Sequence, residues 1–215
     1  MASVSQVESR EWDLARYKKR PSVYVIASQP RSGSHYLAAL LRQTGSAGVP
    51  LEYFHTAHWK RWVKRCDRYN PLSAFRLLCQ VRTTPNGVFG VKAHWRQFEM
   101  ACRLRLESEF TNARFVHITR HDTLGQAISL VVASQTGSWI GGQATQAEPE
   151  FSFTAIQSAI NQILAERSGW DRFFAYTGID PLRLSYEGLV EQPDETLRRV
   201  CGHIGAEWTG MPGGE

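Results

Sequence analysis

S-V-Y-V-I-A-S-Q-P-R-S-G-S-H-Y-L-A-A-L-L, running from Ser22 to Leu41, decides the fold. Val23, Val25 and Ile26 form a short β-branched run of the kind that makes a buried parallel strand. Pro30-Arg31-Ser32-Gly33-Ser34 follows as a tight turn of small residues around one cation, and Leu37, Leu40 and Leu41 then repeat at helical spacing. Strand, small-residue loop and helix together grip a phosphate or sulfate. The amides at the helix start point at the anion, and the helix dipole favours negative charge there. Gly33 lets the backbone approach closely, Ser32 and Ser34 add hydroxyl donors, and Arg31 supplies a positive fork. An ordinary β–turn–α connection capped by Ser34 explains the loop alone equally well. The G-x-x-x-x-G-K-[ST] loop of nucleotide triphosphatases does not occur in the chain.

Outward from this stretch, helical and strand patterns alternate. Residues 6–18 read as a short polar N-terminal helix. Helices are expected over His58–Arg68, Pro71–Val81 and Trp95–Ser108. A further helix is capped by Asp122, with Leu124, Ile128, Val131 and Val132 as its buried stripe. The last helices are expected over Ser152–Gly169, Trp170–Tyr176 and Asp194–Ile204. Strands are expected at Val88–His94, Ala113–Thr119 and Leu182–Tyr186. Gln135–Pro149, rich in Gly, Ser and Gln and carrying Trp139, reads as a lid loop. Strands separated by helices, without hairpin signals, predict an α/β three-layer sandwich around a central parallel sheet. The 215 residues make one domain, 1–215, with residues 1–20 as an N-terminal extension and 205–215 as a short tail. In such sheets ligands bind beyond the carboxyl ends of the strands, where Arg31, His94 and Arg120 fall.

Hydrophobic residues make up 42% and charged residues 21% of the chain, a globular balance with no apolar run long enough to span a bilayer. Cys66, Cys79, Cys102 and Cys201 are widely spaced with no C-x-x-C, which points to reduced thiols in a cytoplasmic protein, with neither a zinc site nor a disulfide frame. Glu8, Glu11 and Asp13 exclude a signal peptide at the start of this sequence. The net charge of +5 suits an anionic ligand without requiring one.

Four segments, in order, resemble the sulfotransferases that use 3′-phosphoadenosine 5′-phosphosulfate (PAPS), and among them the bacterial carbohydrate sulfotransferases of the trehalose 2-sulfotransferase type. Pro30–Ser34 is similar to the 5′-phosphosulfate loop. Thr44-Gly45-Ser46-Ala47-Gly48-Val49-Pro50-Leu51-Glu52-Tyr53-Phe54 resembles T-G-x-A-G-x-P-x-E-[FY]-F, and Arg82 to Trp95 resembles R-T-P-N-G-V-[WF]-G-x-K-x-x-W with Thr84 as an extra residue. Arg120 and Ser129 resemble the 3′-phosphate element, and Ser185 to Pro193 the Y-E-x-L-x-x-x-P before the last helix. The resemblance spans residues 22–204 and implies the phosphate-loop-like sulfotransferase fold with PAPS as sulfate donor and no metal. It implies a donor site of Arg31, Ser32, Gly33, Ser34, His35, Arg120 and Ser129, with Glu52 as general base. The apolar neighbours of Glu52 are expected to raise its pKa by desolvation. Lys92-Ala93-His94 has the K-x-H form that supplies a base histidine in the eukaryotic branch, so His94 ranks second as base and Lys92 is a candidate contact to the sulfonate or acceptor. Tyr53, Phe54, Trp59 and Trp95 are the expected acceptor contacts, although a Trp59/Trp62 stripe also reads as plain core.

The family carries a further basic C-terminal segment, whereas this sequence ends at Glu215, eleven residues after the last helix. A rival enzyme class, a phosphate-loop kinase of a small metabolite, calls for a loop lysine that is missing and a Mg²⁺-binding Asp for which Asp122 is the only suggestion. A non-catalytic nucleotide or nucleic-acid binder built on the basic run Lys60–Arg68 is the third reading. The expected partner is a carbohydrate or other hydroxyl acceptor, not nucleic acid; peripheral membrane contact and a homodimer stay open.

Overall fold

The computed structural model describes residues 7, 9–66, 70–139, 143–144 and 147–210. Four strands, β1 (Ser22–Ser28), β2 (Val88–His94), β3 (Arg114–Thr119) and β4 (Leu182–Ser185), form one sheet in the order β2-β1-β3-β4. All pairs are parallel, and the register sets Ser28 beside His94 and Thr119 beside Ser185 at the carboxyl edge. Eight α-helices accompany them among the described residues: α1 (Ser34–Gln43), α2 (Thr56–Arg65), α3 (Pro71–Arg82), α4 (Trp95–Arg103), α5 (Thr123–Thr136), α6 (Phe153–Thr177), α7 (Tyr186–Glu191) and α8 (Pro193–Ile204).

The alternation of β1 explains its apolar run. Val25 and Ala27 face one core shared with Phe89, Phe98, Phe115 and Trp170, while Tyr24 and Ile26 face another shared with Leu37, Leu41, Val116 and Val200. A parallel strand with helices on both sides must be apolar at every position. The expected three-layer α/β sandwich is the observed architecture.

Several element boundaries differ from expectation, each for a physical reason. The helix expected over 6–18 is only a 3₁₀ turn at Arg10–Trp12 in its described part. Beyond it the chain runs along α3, where Leu14 and Tyr17 donate their amides to the Val81 and Gln80 carbonyls at the end of that helix, groups that a helix terminus leaves unpaired. The helix starting at Trp95 ends at Arg103, because the backbone turns left-handed at Arg105 (φ 59°) and the Leu106 amide returns to the Ala101 carbonyl at 3.1 Å. Phe153–Thr177 is one unbroken helix. Gly169, which reads as a stop, is needed for space, since a Cβ there would lie 2.2 Å from the Trp95 ring. On α5 the expected stripe is rotated: Leu124 and Ile128 are 56% and 42% exposed, while Ala127, Leu130 and Val131 pack against Ala159 and Ile163 of α6. Turning α5 this way aims Gln126 and Ser129, one helical turn apart, at the loop after β1.

Candidate active site

The loop after β1 is held from several directions. Its turn closes with the Ser32 amide donating to the Gln29 carbonyl at 3.3 Å, and Gln126 of α5 donates its side-chain amide to the Pro30 carbonyl at 2.7 Å. Arg31 (φ 62°) and Gly33 (φ 83°) both adopt left-handed backbone. Such a conformation costs a non-glycine residue about 1–3 kcal/mol and persists where the surroundings over-determine it. Left-handed residues in such a turn are the backbone form from which a concavity of amides for an anion is made. Gly33 is also required sterically, because a Cβ would lie 2.4 Å from the ring of Tyr186.

Arg31 donates through Nε to Ser129 Oγ at 2.9 Å and through its terminal nitrogen to the Trp139 carbonyl, both neutral acceptors. Burial, and then the nearby Arg120 guanidinium, disfavour its charged form. Arg120 stands directly beyond β3, ion-paired with Asp122 at 3.1 Å and 5.2 Å from the centre of the Tyr186 ring. Ser32 Oγ and Arg120 Nε are buried polar atoms with no hydrogen-bond partner among the described residues. Such atoms are rare, and orphaned donors at the mouth of an amide-lined loop fit a multiply charged anion. The expected donor residues Arg31, Ser32, Gly33, Ser34, Arg120 and Ser129 therefore meet around one loop. Tyr186, to which sequence reasoning gave no role, covers the same loop; the signal was its place in the Y-E-x-L segment.

The second half of the site lies across β2. Leu51 bridges to Val91, and its carbonyl accepts the Lys92 amide at 3.0 Å, which sets Glu52 beside the Lys92 side chain. Lys92 is 1% exposed and its ammonium is hydrogen-bonded to Glu52 Oε1. His35 Nε2, from the first turn of α1, lies 3.3 Å from the same oxygen, and His94 Nε2 lies 3.6 Å from it. Gln97 Nε2 donates to the other oxygen at 3.0 Å. His35, expected on the donor side, thus joins the phosphate loop to Glu52, and the charge of Arg31 reaches both His35 and Lys92.

The charge state of Glu52 reverses the desolvation argument. Burial alone raises its carboxyl pKa, but Lys92, His94 and His35 outweigh burial and hold it well below the usual carboxylate range. The neutralising groups come from segments remote in sequence. His94 is pushed down to about 4, first by burial and also by Lys92, against the pull of Glu52, and is neutral near pH 7.

Three of the expected acceptor contacts, Tyr53, Phe54 and Trp59, are corrected, while Trp95 is only partly buried. Tyr53 and Phe54 are fully buried and Trp59 is 5% exposed, all in the core on the α3–α6 side of the sheet. The Tyr53 hydroxyl donates to the Val49 carbonyl, and Phe54 packs among Trp59, Phe75 and Phe110. Trp95 lies against Trp170, 5.4 Å between ring centres. These rings support the Glu52 loop from behind. The basic face of α2 is equally structural where Arg65 stacks on Trp62 and pairs with Asp13 at 2.5 Å; Arg68 lies outside the described residues. Of the lid segment Gln135–Pro149, residues 140–142 and 145–146 also lie outside them.

A pH prediction follows from the buried histidines. His117, 3% exposed on β3 beside Gln29, is held at about 4 chiefly by burial, as His94 is. An unfolded histidine titrates near 6.5, so between about pH 6.5 and 4 the unfolded chain binds protons that the native chain does not. Stability should fall across that window, by up to about 3 kcal/mol for each histidine. The depressed carboxyl of Glu52 extends the loss in the same direction at lower pH. Urea unfolding at pH 7 and pH 4.5 checks this, and equal free energies would contradict it.

The family model described as Stf0 sulphotransferase matches residues 23–215. The chain is 26% identical to trehalose 2-sulfotransferase of Mycolicibacterium smegmatis, over 87% of this chain and 85% of that protein. It is 28% identical to trehalose 2-sulfotransferase of Mycobacterium tuberculosis, over 86% and 84%. Nodulation protein H of Rhizobium tropici is 27% identical over 86% of this chain and 76% of its own length. Among solved structures, the sulfotransferase domain from the curacin biosynthetic pathway superposes with a TM-score of 0.54 at 16% identity, covering 90% of this chain and 76% of that one.

Proposed function

Because the chain belongs to the Stf0 sulphotransferase family, and so to the PAPS-dependent sulfotransferases, we propose that it moves the sulfuryl group of PAPS to a carbohydrate hydroxyl with Glu52 as base. The observation that carries this reading is the contact between His35, on the phosphate loop's own helix, and the half-buried carboxylate of Glu52. It sets an anion cradle and a proton acceptor side by side.

Sulfuryl transfer resembles phosphoryl transfer, in that a planar SO₃ passes in line between a leaving and an attacking oxygen. The acceptor oxygen forms a bond to sulfur while the bond from sulfur to the 5′-phosphate oxygen breaks, and the acceptor proton leaves. When bound, PAPS supplies the activated sulfonate. The loop amides and Arg31 stabilise the charge that grows on the leaving phosphate. Arg120 and Ser32, with their unpartnered donors, hold the donor's other charges. Glu52, ionised through Lys92, accepts the proton at a carboxylate oxygen. A carbohydrate acceptor is supported by the trehalose 2-sulfotransferases, which are 26% and 28% identical to this chain over the matched residues.

One observation favours a second reading of the base. Ser28 Oγ lies 3.1 Å from His94 Nδ1 and 3.3 Å from the Ala93 carbonyl, and so fixes the imidazole ring at the end of β2. The ring's other nitrogen, Nε2, lies 3.6 Å from Glu52 Oε1, within the same site. A His94→Gln variant that loses as much activity as Glu52→Gln would move the proton to His94.

The direct test offers ³⁵S-labelled PAPS with a panel of mono- and disaccharides, trehalose included. Label is expected on at least one sugar. Transfer to none of them, or phosphate transfer from ATP–Mg²⁺ instead, would overturn the reading.

A further inference from the structure

We propose that Gln97 is the positioning residue for the Glu52 carboxylate, its side-chain amide tying that carboxylate to the main chain at the end of β2. The inference rests on Glu52 acting in the reaction as proposed above.

Gln97 sits at the third position of α4, and both ends of its amide are in use. Its Oε1 accepts the His94 backbone amide at 3.1 Å, and its Nε2 donates to Glu52 Oε2 at 3.0 Å. The first bond is half of a helix-capping arrangement, which Glu performs as well as Gln because only an acceptor is needed. The second bond needs a donor. A Glu at this position would set two carboxylates against each other. Capping therefore accounts for an acceptor at position 97, whereas the amide is accounted for by Glu52.

The consequence is directional. Lys92 occupies Oε1 and Gln97 occupies Oε2, so the carboxylate is gripped at both ends and cannot rotate about its terminal bond without losing one donor. The remaining lone pairs of Oε1 face His35 and His94. Because Gln97 bonds to the backbone of the residue whose side chain is the rival base, one amide fixes both candidate proton acceptors relative to each other. Placement of this kind matters because displacing a reacting group by about 1 Å can cost on the order of a hundredfold in rate.

The charged and titratable groups facing Glu52 are Lys92 from β2, His35 from α1 and His94 at the strand end, with Arg31 acting on Lys92 and His35 from the loop. None is altered by substitution at Gln97, so a change in Glu52 titration reports the Gln97 contact. The test follows the carboxyl carbons of ¹³C-labelled glutamate by NMR as pH is lowered, with the Glu52 resonance identified by its loss in Glu52→Gln. Gln97→Met removes a hydrogen bond to the ionised form and should move the Glu52 titration to higher pH. Gln97→Glu keeps the capping acceptor but adds a like charge, and should move it further. With an acceptor in hand, Gln97→Met should lower kcat by about tenfold to a hundredfold while binding of adenosine 3′,5′-bisphosphate is unchanged. An unmoved Glu52 titration in both variants would overturn the proposal, as would an unchanged kcat. The titration needs neither donor nor acceptor, so its outcome is separate from whether the wild-type protein transfers sulfate.

Discussion

Glu52→Gln should lower kcat by about 10²–10⁴, the usual contribution of a positioned base. The substitution keeps the side chain's shape and removes only its ability to take the acceptor proton and its charge. The affected contacts can be named. Lys92 donates to one carboxylate oxygen and Gln97 to the other, so the new NH₂ group must face one of two donors. It also leaves the ammonium of Lys92, 1% exposed, without its counter-charge, and breaking a buried pair from one side typically costs about 3–5 kcal/mol. The variant should therefore melt earlier as well as react slowly, and its kcat is to be measured well below its melting temperature. A variant that folds and turns over like the wild type would remove Glu52 from the mechanism.

Arg31→Met should cost about 10²–10³ in kcat, the loss seen when one preorganised donor to a developing charge is removed. Arg31 is the only cation within Pro30–Ser34, and its present acceptors, Ser129 Oγ and the Trp139 carbonyl, are neutral. Its charge is thus disfavoured by burial and by Arg120 until an anion arrives. An unbranched Met fills much of the same volume and faces the same left-handed backbone. The comparison therefore isolates the guanidinium, and single-turnover transfer from labelled PAPS reads it. A loss of less than about threefold would show that the loop amides carry the leaving group alone.

The strand, loop and helix from Ser22 to Leu41 were legible because their signals are local: a β-branched run, small residues at the turn, and leucines at helical spacing. The same held for the four strands separated by helices, and hence for the parallel sheet, although α7 was not foreseen. What the sequence concealed depends on contacts between distant segments. The stripe assigned to α5 holds at Val131 but fails at Leu124 and Ile128, which turn outward as Gln126 and Ser129 serve the loop. Gly169 reads as a helix stop and instead makes room for Trp95.

At the site, the motif residues Arg31, Glu52, Lys92 and His94 were readable, but the charge state of Glu52 was not. Its neighbours in sequence, Leu51 and Tyr53, argue for desolvation, while its neighbours in space are cations and donors from three other elements. Tyr53 and Phe54 flank the carboxylate in sequence yet point into the core. Gln97 carried no local signal beyond helix capping.

The central claim is that a donor cradle around Arg31 and an acceptor base at Glu52 are separate parts of one site. Titration calorimetry of adenosine 3′,5′-bisphosphate into wild type, Glu52→Gln and Arg31→Met tests it most directly. The account predicts matching affinities for wild type and Glu52→Gln, and a loss of about tenfold or more for Arg31→Met. Equal weakening in both variants, or tighter binding of ATP–Mg²⁺ than of the bisphosphate, would contradict it.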